Sequence, residues 1–235
     1  MVKIKGWLET SLIDWDGKIA SVIFLPGCNF LCPFCHNYGL VRDPDQLPTI
    51  PFSSIKKFLL AHKVWIDGVC ITGGEPTIHA DLWDLIKGIR DLGFGVKLDT
   101  NGTNPVMLKE LLGKGVLDYV AMDIKTSFEK YGMVGGGQYI REVDESITTL
   151  MSSGIEYEFR TTVVPTIVDE DGEDVATIAR RIKGARLYVL QQFNPAHTPP
   201  PFSEMKPYPE ERLADMAQVA AKYVQTKIRG SGARH

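Results

Sequence analysis

The sequence predicts an α/β fold, a parallel sheet with helices outside, curled into a partial (β/α)6, TIM-like barrel. Three observations carry this expectation. Apolar stretches of strand length recur along the chain, segments of helical periodicity separate them, and each strand–helix unit has roughly the length of a βαβ crossover. Right-handed crossovers curl six such units into an open barrel. A full eightfold barrel usually takes about 250 residues, more than the 235 present.

The strands are expected at 19–26 (IASVIFLP), 68–72 (GVCIT), 94–100 (FGVKLDT), 117–124 (LDYVAMDI), 155–165 (IEYEFRTTVVP) and 185–193 (ARLYVLQQF). Helical spacing of apolar residues falls at 52–63, 80–92, 105–114, 139–153, 172–183 and 209–228. No repeat or linker divides the chain, which reads as one domain over 1–235. It has an N-terminal strand and loop (1–18), the barrel (19–193) and a Pro-rich loop with a last helix (194–228). The closing RGSGARH reads as a frayed end. GMVGGGQY (132–139) does not follow a strand as a dinucleotide fingerprint would, and reads as a flexible loop over the barrel mouth. The acidic stretch Asp14 to Asp16 is assigned to the same mouth.

Composition narrows the function classes. A net charge of −3 supplies no bulk basic field to hold a nucleic-acid backbone. The longest apolar runs are strand-sized, which argues against a membrane span, and the charged N-terminus does not resemble a signal peptide. The protein is expected in the cytoplasm. Its four cysteines are too few for a disulfide scaffold, so their clustering points to metal or redox chemistry.

Three of those cysteines stand in GCNFLCPFCHN, as Cys28-x3-Cys32-x2-Cys35. Zinc usually takes four protein ligands from two separated pairs, and no second CxxC or HxxxH exists here. His36 or Cys70 would have to complete such a site. Three thiolates on one loop suit a [4Fe–4S] cluster with one iron left open, whereas an electron carrier would close all four irons with cysteine. Cys70, on an apolar strand, reads as buried packing.

Polar residues gather at the expected C-terminal ends of the strands. ITGGEPT (71–77) offers Gly73 and Gly74, which let backbone approach a ligand, and Glu75 as an anionic acceptor. The bland alternative is a strand-to-helix turn initiated by the acid and Pro76. LDTNGT and AMDIK place Asp99, Thr100, Asn101, Asp123 and Lys125 at the next two strand ends, on the rim where barrels put their chemistry. Arg160, within EFRTTVVP, is either a carboxylate clamp or a salt bridge to Asp123 or Glu158.

With these residues in view, CxxxCxxC after a first strand resembles the radical S-adenosylmethionine (radical SAM) superfamily. GGE fits the same superfamily, and CHN after the third cysteine, DTNG, DIK and R…VVP, in order within a resemblance spanning about residues 8 to 195, resemble its pyruvate formate-lyase activating enzyme group. YVLQQFNP is similar to the anaerobic ribonucleoside-triphosphate reductase activating proteins. The resemblance implies that Cys28, Cys32 and Cys35 hold a [4Fe–4S] cluster whose fourth iron is chelated by S-adenosylmethionine. Phe34 would lie by the adenine, with His36 and Asn37 completing the motif. Gly73, Gly74 and Glu75 would bind the methionine ammonium. Asp123 and Lys125 would hold the ribose and nearby polar groups, Arg160 with Thr162 would meet the carboxylate, and Asn101 would be a further cofactor contact. Asp99, Thr100 and Asp123 would form a monovalent-cation site, and Asp14 would face the substrate. The family's DGPG loop is replaced here by DWDG, and its loop histidine after the last barrel strand has no counterpart.

The implied reaction is reductive cleavage of S-adenosylmethionine to a 5′-deoxyadenosyl radical. The radical takes a hydrogen atom from a glycine of a partner glycyl radical enzyme, such as an anaerobic ribonucleotide reductase, with flavodoxin or ferredoxin as electron donor. Two alternatives stand beside it: a radical enzyme acting on a small molecule or nucleoside precursor, and a non-catalytic iron–sulfur or zinc protein. His62, His79 and His197 lack any partner pattern. Trp7, Trp15, Trp65 and Trp83 read as core or rim packing.

Overall fold

The computed structural model describes residues 2–230; of the end expected to fray, 229–235, residues 231–235 lie outside the described residues, while Arg229 corrects the expectation by standing in a strand. The strands follow chain order in a mostly parallel eight-stranded sheet. This is the α/β architecture that the alternating pattern predicts. The chain packs as two compact units, 2–29, 37–100 and 104–121 in the first, and 30–36, 101–103 and 122–230 in the second.

In the first unit, β1 (Gly6–Ser11) runs antiparallel to β2 (Ala20–Leu25), while β3 (Gly68–Gly73) and β4 (Gly95–Thr100) continue from β2 in parallel. β2, β3 and β4 bury Val22, Ile23, Leu25, Val69, Ile71, Val96 and Leu98 almost completely, as strands covered on both faces do. Cys70 is buried among them, as expected. Three longer helices, α2 (Phe52–Ala61), α3 (Leu82–Arg90) and α4 (Pro105–Gly113), follow the short α1 (Tyr38–Arg42). α3 shows the logic plainly: Leu82, Leu85, Ile86 and Ile89, at i, i+3, i+4 and i+7, form its buried stripe. α4 starts where Asn104 accepts a hydrogen bond from the Met107 N–H and Pro105 supplies a preset φ.

Because β1 is antiparallel, the segment that follows it returns to the N-terminal ends of the parallel strands. Ser11 is in register with Ala20, Asp67 bonds the Ile19 backbone, and Trp15 packs over Gly68 and Gly95. The Asp14–Asp16 stretch therefore lies at the opposite ends of β2 to β4 from the GGE turn, a correction to its assignment at the mouth. Trp15 is buried and Trp7 donates to Ser21 Oγ, whereas Trp65 is 70% exposed and is not part of the core.

β5 (Tyr119–Asp123) begins in the first unit and ends in the second. There α5 (Ile140–Ser152), β6 (Glu156–Val163), α6 (Glu173–Arg181), β7 (Tyr188–Gln192), α7 (Glu210–Ala221) and β8 (Thr226–Arg229) follow. β8 corrects the expected helix over 209–228. Leu213, Met216, Ala220 and Val224 keep helical spacing, so periodicity alone extends the helix; strand pairing with β7 ends it at Ala221. Arg229 fixes the register by a two-pronged ion pair to buried Glu158, at 2.8 and 3.0 Å. The expected flexible loop at 132–139 is also corrected. It forms two 3-10 segments, Phe128–Val134 and Gly137–Tyr139, with Tyr131 and Val134 fully buried.

One contact dominates the end of β3. A Cβ on Gly74 would stand 1.7 Å from the Gly27 carbonyl oxygen. Gly74→Ala should therefore destabilise by about 3 kcal/mol or more. Gly113→Ala, with no neighbouring atom within 4 Å at the end of α4, should gain about 0.4–1 kcal/mol. Urea unfolding of the two variants checks this; similar effects from both would show that the Gly74 contact is soft.

Candidate active site

In the first unit the GGE turn closes onto the end of β2. The Gly74 N–H donates to Leu25 O at 2.8 Å and the Glu75 N–H to Gly27 O at 2.9 Å. Gly73 adopts φ +116°, and a Cβ there would stand 2.5 Å from the Leu25 main chain. The two glycines thus make room for the segment leading into Cys28, where the sequence suggested room for a ligand. Asn37 Nδ2 donates to Gly73 O at 2.7 Å, so the chain leaving the cysteines returns to the same turn. Nothing in the motif pattern announced that bond.

Glu75 is 1% exposed. Its Oε1 accepts from Thr77 N at 3.0 Å, Thr77 Oγ1 at 2.5 Å and Thr100 Oγ1 at 2.7 Å. It also caps the 3-10 turn Pro76–Ile78, so the turn-initiating role weighed against ligand binding is present. A buried carboxyl group held by three donors is fixed in orientation, which suits it to meet an ammonium ligand. One strand over, Lys97 Nζ lies 3.1 Å from Asp99 Oδ1 and donates to the Asp14 main-chain oxygen. His79 Nε2 bonds Pro26 O at 2.8 Å, a packing role consistent with its isolation in sequence.

In the second unit the segment 30–36 is held from both sides. Leu31 N–H donates to Val134 O at 3.2 Å, and the glycines of 135–136 accommodate Leu31 and the Phe30 ring, which would meet a Cβ at 3.0 and 2.7 Å. The glycine run thus shapes the cysteine loop, a role its sequence did not suggest. Cys35 N–H closes a turn on Cys32 O at 3.2 Å, and Cys32 and Cys35 are half-buried, as is Cys28 in the first unit. Phe34 is buried against Phe202, with ring centroids 6.2 Å apart, and His36 Nε2 meets the Asn194 carbonyl at 2.5 Å. Asn101 accepts from Thr103 N and Oγ1, which makes it a turn residue in this structure.

Asp123 gathers the remaining charges. Its Oδ1 accepts from Arg160 Nε and its Oδ2 from Lys125 Nζ, each at 2.7 Å. Of the two salt bridges considered for Arg160, the one to Asp123 forms, while Glu158 takes Arg229. Thr162 lies two residues beyond Arg160 on the same face of β6. Burial alone would raise the Asp123 carboxyl, but Arg160 and Lys125 outweigh it and hold it well below the usual carboxylate range. Burial alone would lower the Lys125 ammonium, yet Asp123 and Cys32 outweigh it and push it upward.

The first unit thus carries one half-buried thiol, Cys28, and a buried carboxyl group held by three donors, while the second carries the thiols of Cys32 and Cys35 and a cationic pair beside Asp123. A family model described as the Radical SAM superfamily matches residues 22–179. The chain belongs to the radical SAM superfamily. It is 34% identical over 234 residues, 96% of this chain and 94% of the other, to a Methanocaldococcus jannaschii protein named "putative glycyl-radical enzyme activating enzyme". It is 28% identical to the pyruvate formate-lyase-activating enzyme of Clostridium pasteurianum, over 84% of this chain and 83% of that one. Among solved structures, a radical SAM methyltransferase from Sphaerobacter thermophilus shares the fold. Its TM-score is 0.71 at 16% identity, covering 93% of this chain and 68% of that one. Membership in this radical SAM family implies an enzyme that uses a [4Fe–4S] cluster and S-adenosylmethionine. No helix among the described residues is long and apolar enough to cross a membrane.

The Asp123 cluster has a pH signature. An unfolded Asp takes its proton near pH 3.9, the folded one only at lower pH. The stabilisation is therefore complete above the unfolded value and is lost as pH falls through the folded one. At pH 7, Asp123→Asn should cost about 3 kcal/mol, because it leaves Arg160 and Lys125 uncompensated. Urea unfolding should show that gap narrowing by about 1 kcal/mol between pH 5 and pH 3. A gap that stays constant would mean that the carboxylate titrates normally.

Proposed function

We propose that this chain is a glycyl-radical-enzyme activase that works in the cytoplasm on a partner protein. The supporting observation is the near end-to-end match, 96% of this chain and 94% of the other, to the relative named for that activity. Cys28, Cys32 and Cys35 hold the cluster. Glu75, aimed by Thr77 and Thr100, takes the methionine ammonium, and the GGE backbone lies alongside it. Arg160 and Thr162 take the carboxylate, Asp123 and Lys125 the ribose, and Phe34, His36, Asn37 and Asn101 shape the surrounding walls. Flavodoxin or ferredoxin is the electron donor.

When bound, the cluster supplies one electron to S-adenosylmethionine, which releases methionine and the radical that removes a hydrogen atom from the partner's glycine Cα. The chain's own residues bind, orient and desolvate. A carboxylate already hydrogen-bonded at Oε1 need not reorganise to receive an ammonium, so its orientation is set before the ligand arrives. The charges around Asp123 are likewise paired in advance.

Replacing Cys28, Cys32 or Cys35 by Ala should abolish iron incorporation on anaerobic reconstitution, while Cys70→Ala retains it; iron loss from Cys70→Ala would refute the three-thiol assignment. Glu75→Gln should keep its iron yet bind S-adenosylmethionine roughly ten- to a hundredfold more weakly, the loss of one charge-assisted contact of about 1.5–3 kcal/mol. Calorimetry reads this, and unchanged affinity would reduce Glu75 to a turn residue. Mixing the reduced enzyme anaerobically with a glycyl radical enzyme from the same genome should produce a glycyl doublet by electron paramagnetic resonance. Turnover of a small metabolite with no doublet on the partner would overturn the activase assignment.

A further inference from the structure

Lys97 stands apart from every motif, yet its ammonium is the most deeply buried cation near the candidate site. Its side chain is 4% exposed. Lysine is almost never buried to this degree unless paired, because an isolated ammonium loses too much hydration. On β4, Lys97 is in register with Cys70, and Asp99 follows two positions on, so the two side chains share one face of the strand.

Three groups surround its Nζ. Asp99 Oδ1 is 3.1 Å away, the Asp14 main-chain oxygen accepts its hydrogen bond, and the Tyr119 ring centroid lies at 5.8 Å. A carboxylate, a carbonyl and a ring face together compensate a buried cation for its lost hydration. The Asp14 carbonyl is itself fixed. Ser11 Oγ bonds the Asp14 carboxylate and accepts from the Ile13 and Asp14 N–H groups, and Trp15 seals the loop onto Gly68 and Gly95. Beyond Asp99, the Thr100 hydroxyl donates to Glu75. The ammonium thus stands between the segment after β1 and the strand end that orients Glu75.

We propose that Lys97 is the resident cation of Asp99, a positioning residue that replaces an exchangeable monovalent ion there and ties the Asp14 segment to the strand end serving Glu75. A second small cation on this carboxylate would meet like-charge repulsion at close range in a water-poor setting, so the chain needs none. For its effect on S-adenosylmethionine the inference rests on the cofactor assignment above; the ion pair itself does not.

The test measures S-adenosylmethionine affinity of the reconstituted protein by calorimetry at constant ionic strength, with tetramethylammonium, sodium, potassium or ammonium as the only monovalent cation. The wild type should bind equally, within about twofold, in all four; affinity that rises tenfold or more with potassium or sodium would overturn the proposal without any mutant. Lys97→Ala should bind at least about tenfold more weakly in tetramethylammonium and recover with ammonium or propylammonium, while Lys97→Met, which fills the space, should not recover. Wild-type affinity of Lys97→Ala in tetramethylammonium would also overturn it. Glu75→Gln in the same titration separates the two claims, since its failure to weaken binding counts against the cofactor assignment alone. Thermal melting of the cluster-free protein reads the ion pair directly. Propylammonium should raise the melting temperature of Lys97→Ala but not of Lys97→Ala with Asp99→Asn. An equal rise in both would refute the pairing.

Discussion

The candidate site depends on a backbone-to-backbone contact that leaves no room for a side chain. Gly73 and Gly74 press the end of β3 against Leu25 and Gly27, and two main-chain hydrogen bonds close the contact. Asn37 returns to Gly73 O from the other side of the cysteines. Gly27 and Asn37 bracket all three thiols, so both ends of that stretch are anchored to the turn that carries Glu75. An insertion or a Cβ at this contact would shift the flanks of the cysteines and the carboxylate together.

A rim of charges at strand ends would be costly unless each charge found a partner. This chain pairs them locally, with Lys97 on Asp99, Arg160 and Lys125 on Asp123, and Thr100 on Glu75. The partners come from neighbouring strands or from two residues along the same strand, where alternation puts side chains on one face. Order of this kind is present before any ligand binds, which lowers the reorganisation that binding would otherwise require.

The absence of spare thiols shapes the chemistry as well. Cys70 is completely buried in β3, and the remaining three cysteines stand together in sequence. Iron–sulfur ligation by cysteine on this chain is therefore confined to one cluster. What distinguishes members of such a fold is then the surface that receives the substrate. The DWDG segment is not part of the GGE end, since the antiparallel β1 delivers it to the N-terminal ends of β2 to β4.

Much of this was legible from the residues alone. Strand and helix alternation located all six expected strands to within a few residues, because parallel strands buried on both faces are apolar runs and amphipathic helices carry a 3.6-residue stripe. Local chemistry at the motifs, thiols for iron and an acid after two glycines, was equally readable, since residue type and spacing determine what a short loop can ligate. Tertiary pairing decided the rest. Val224 continues a helical stripe that only the ladder with β7 interrupts, and the glycines of 132–139 look mobile until Phe30 and Leu31 fill their space. Lys97 reads as an ordinary strand lysine until Asp14, brought back by the turn after β1, and Asp99 close on its ammonium. Periodicity and composition report the neighbours a residue has along the chain. The partners that neutralise a buried charge come from distant segments, and only the folded arrangement names them.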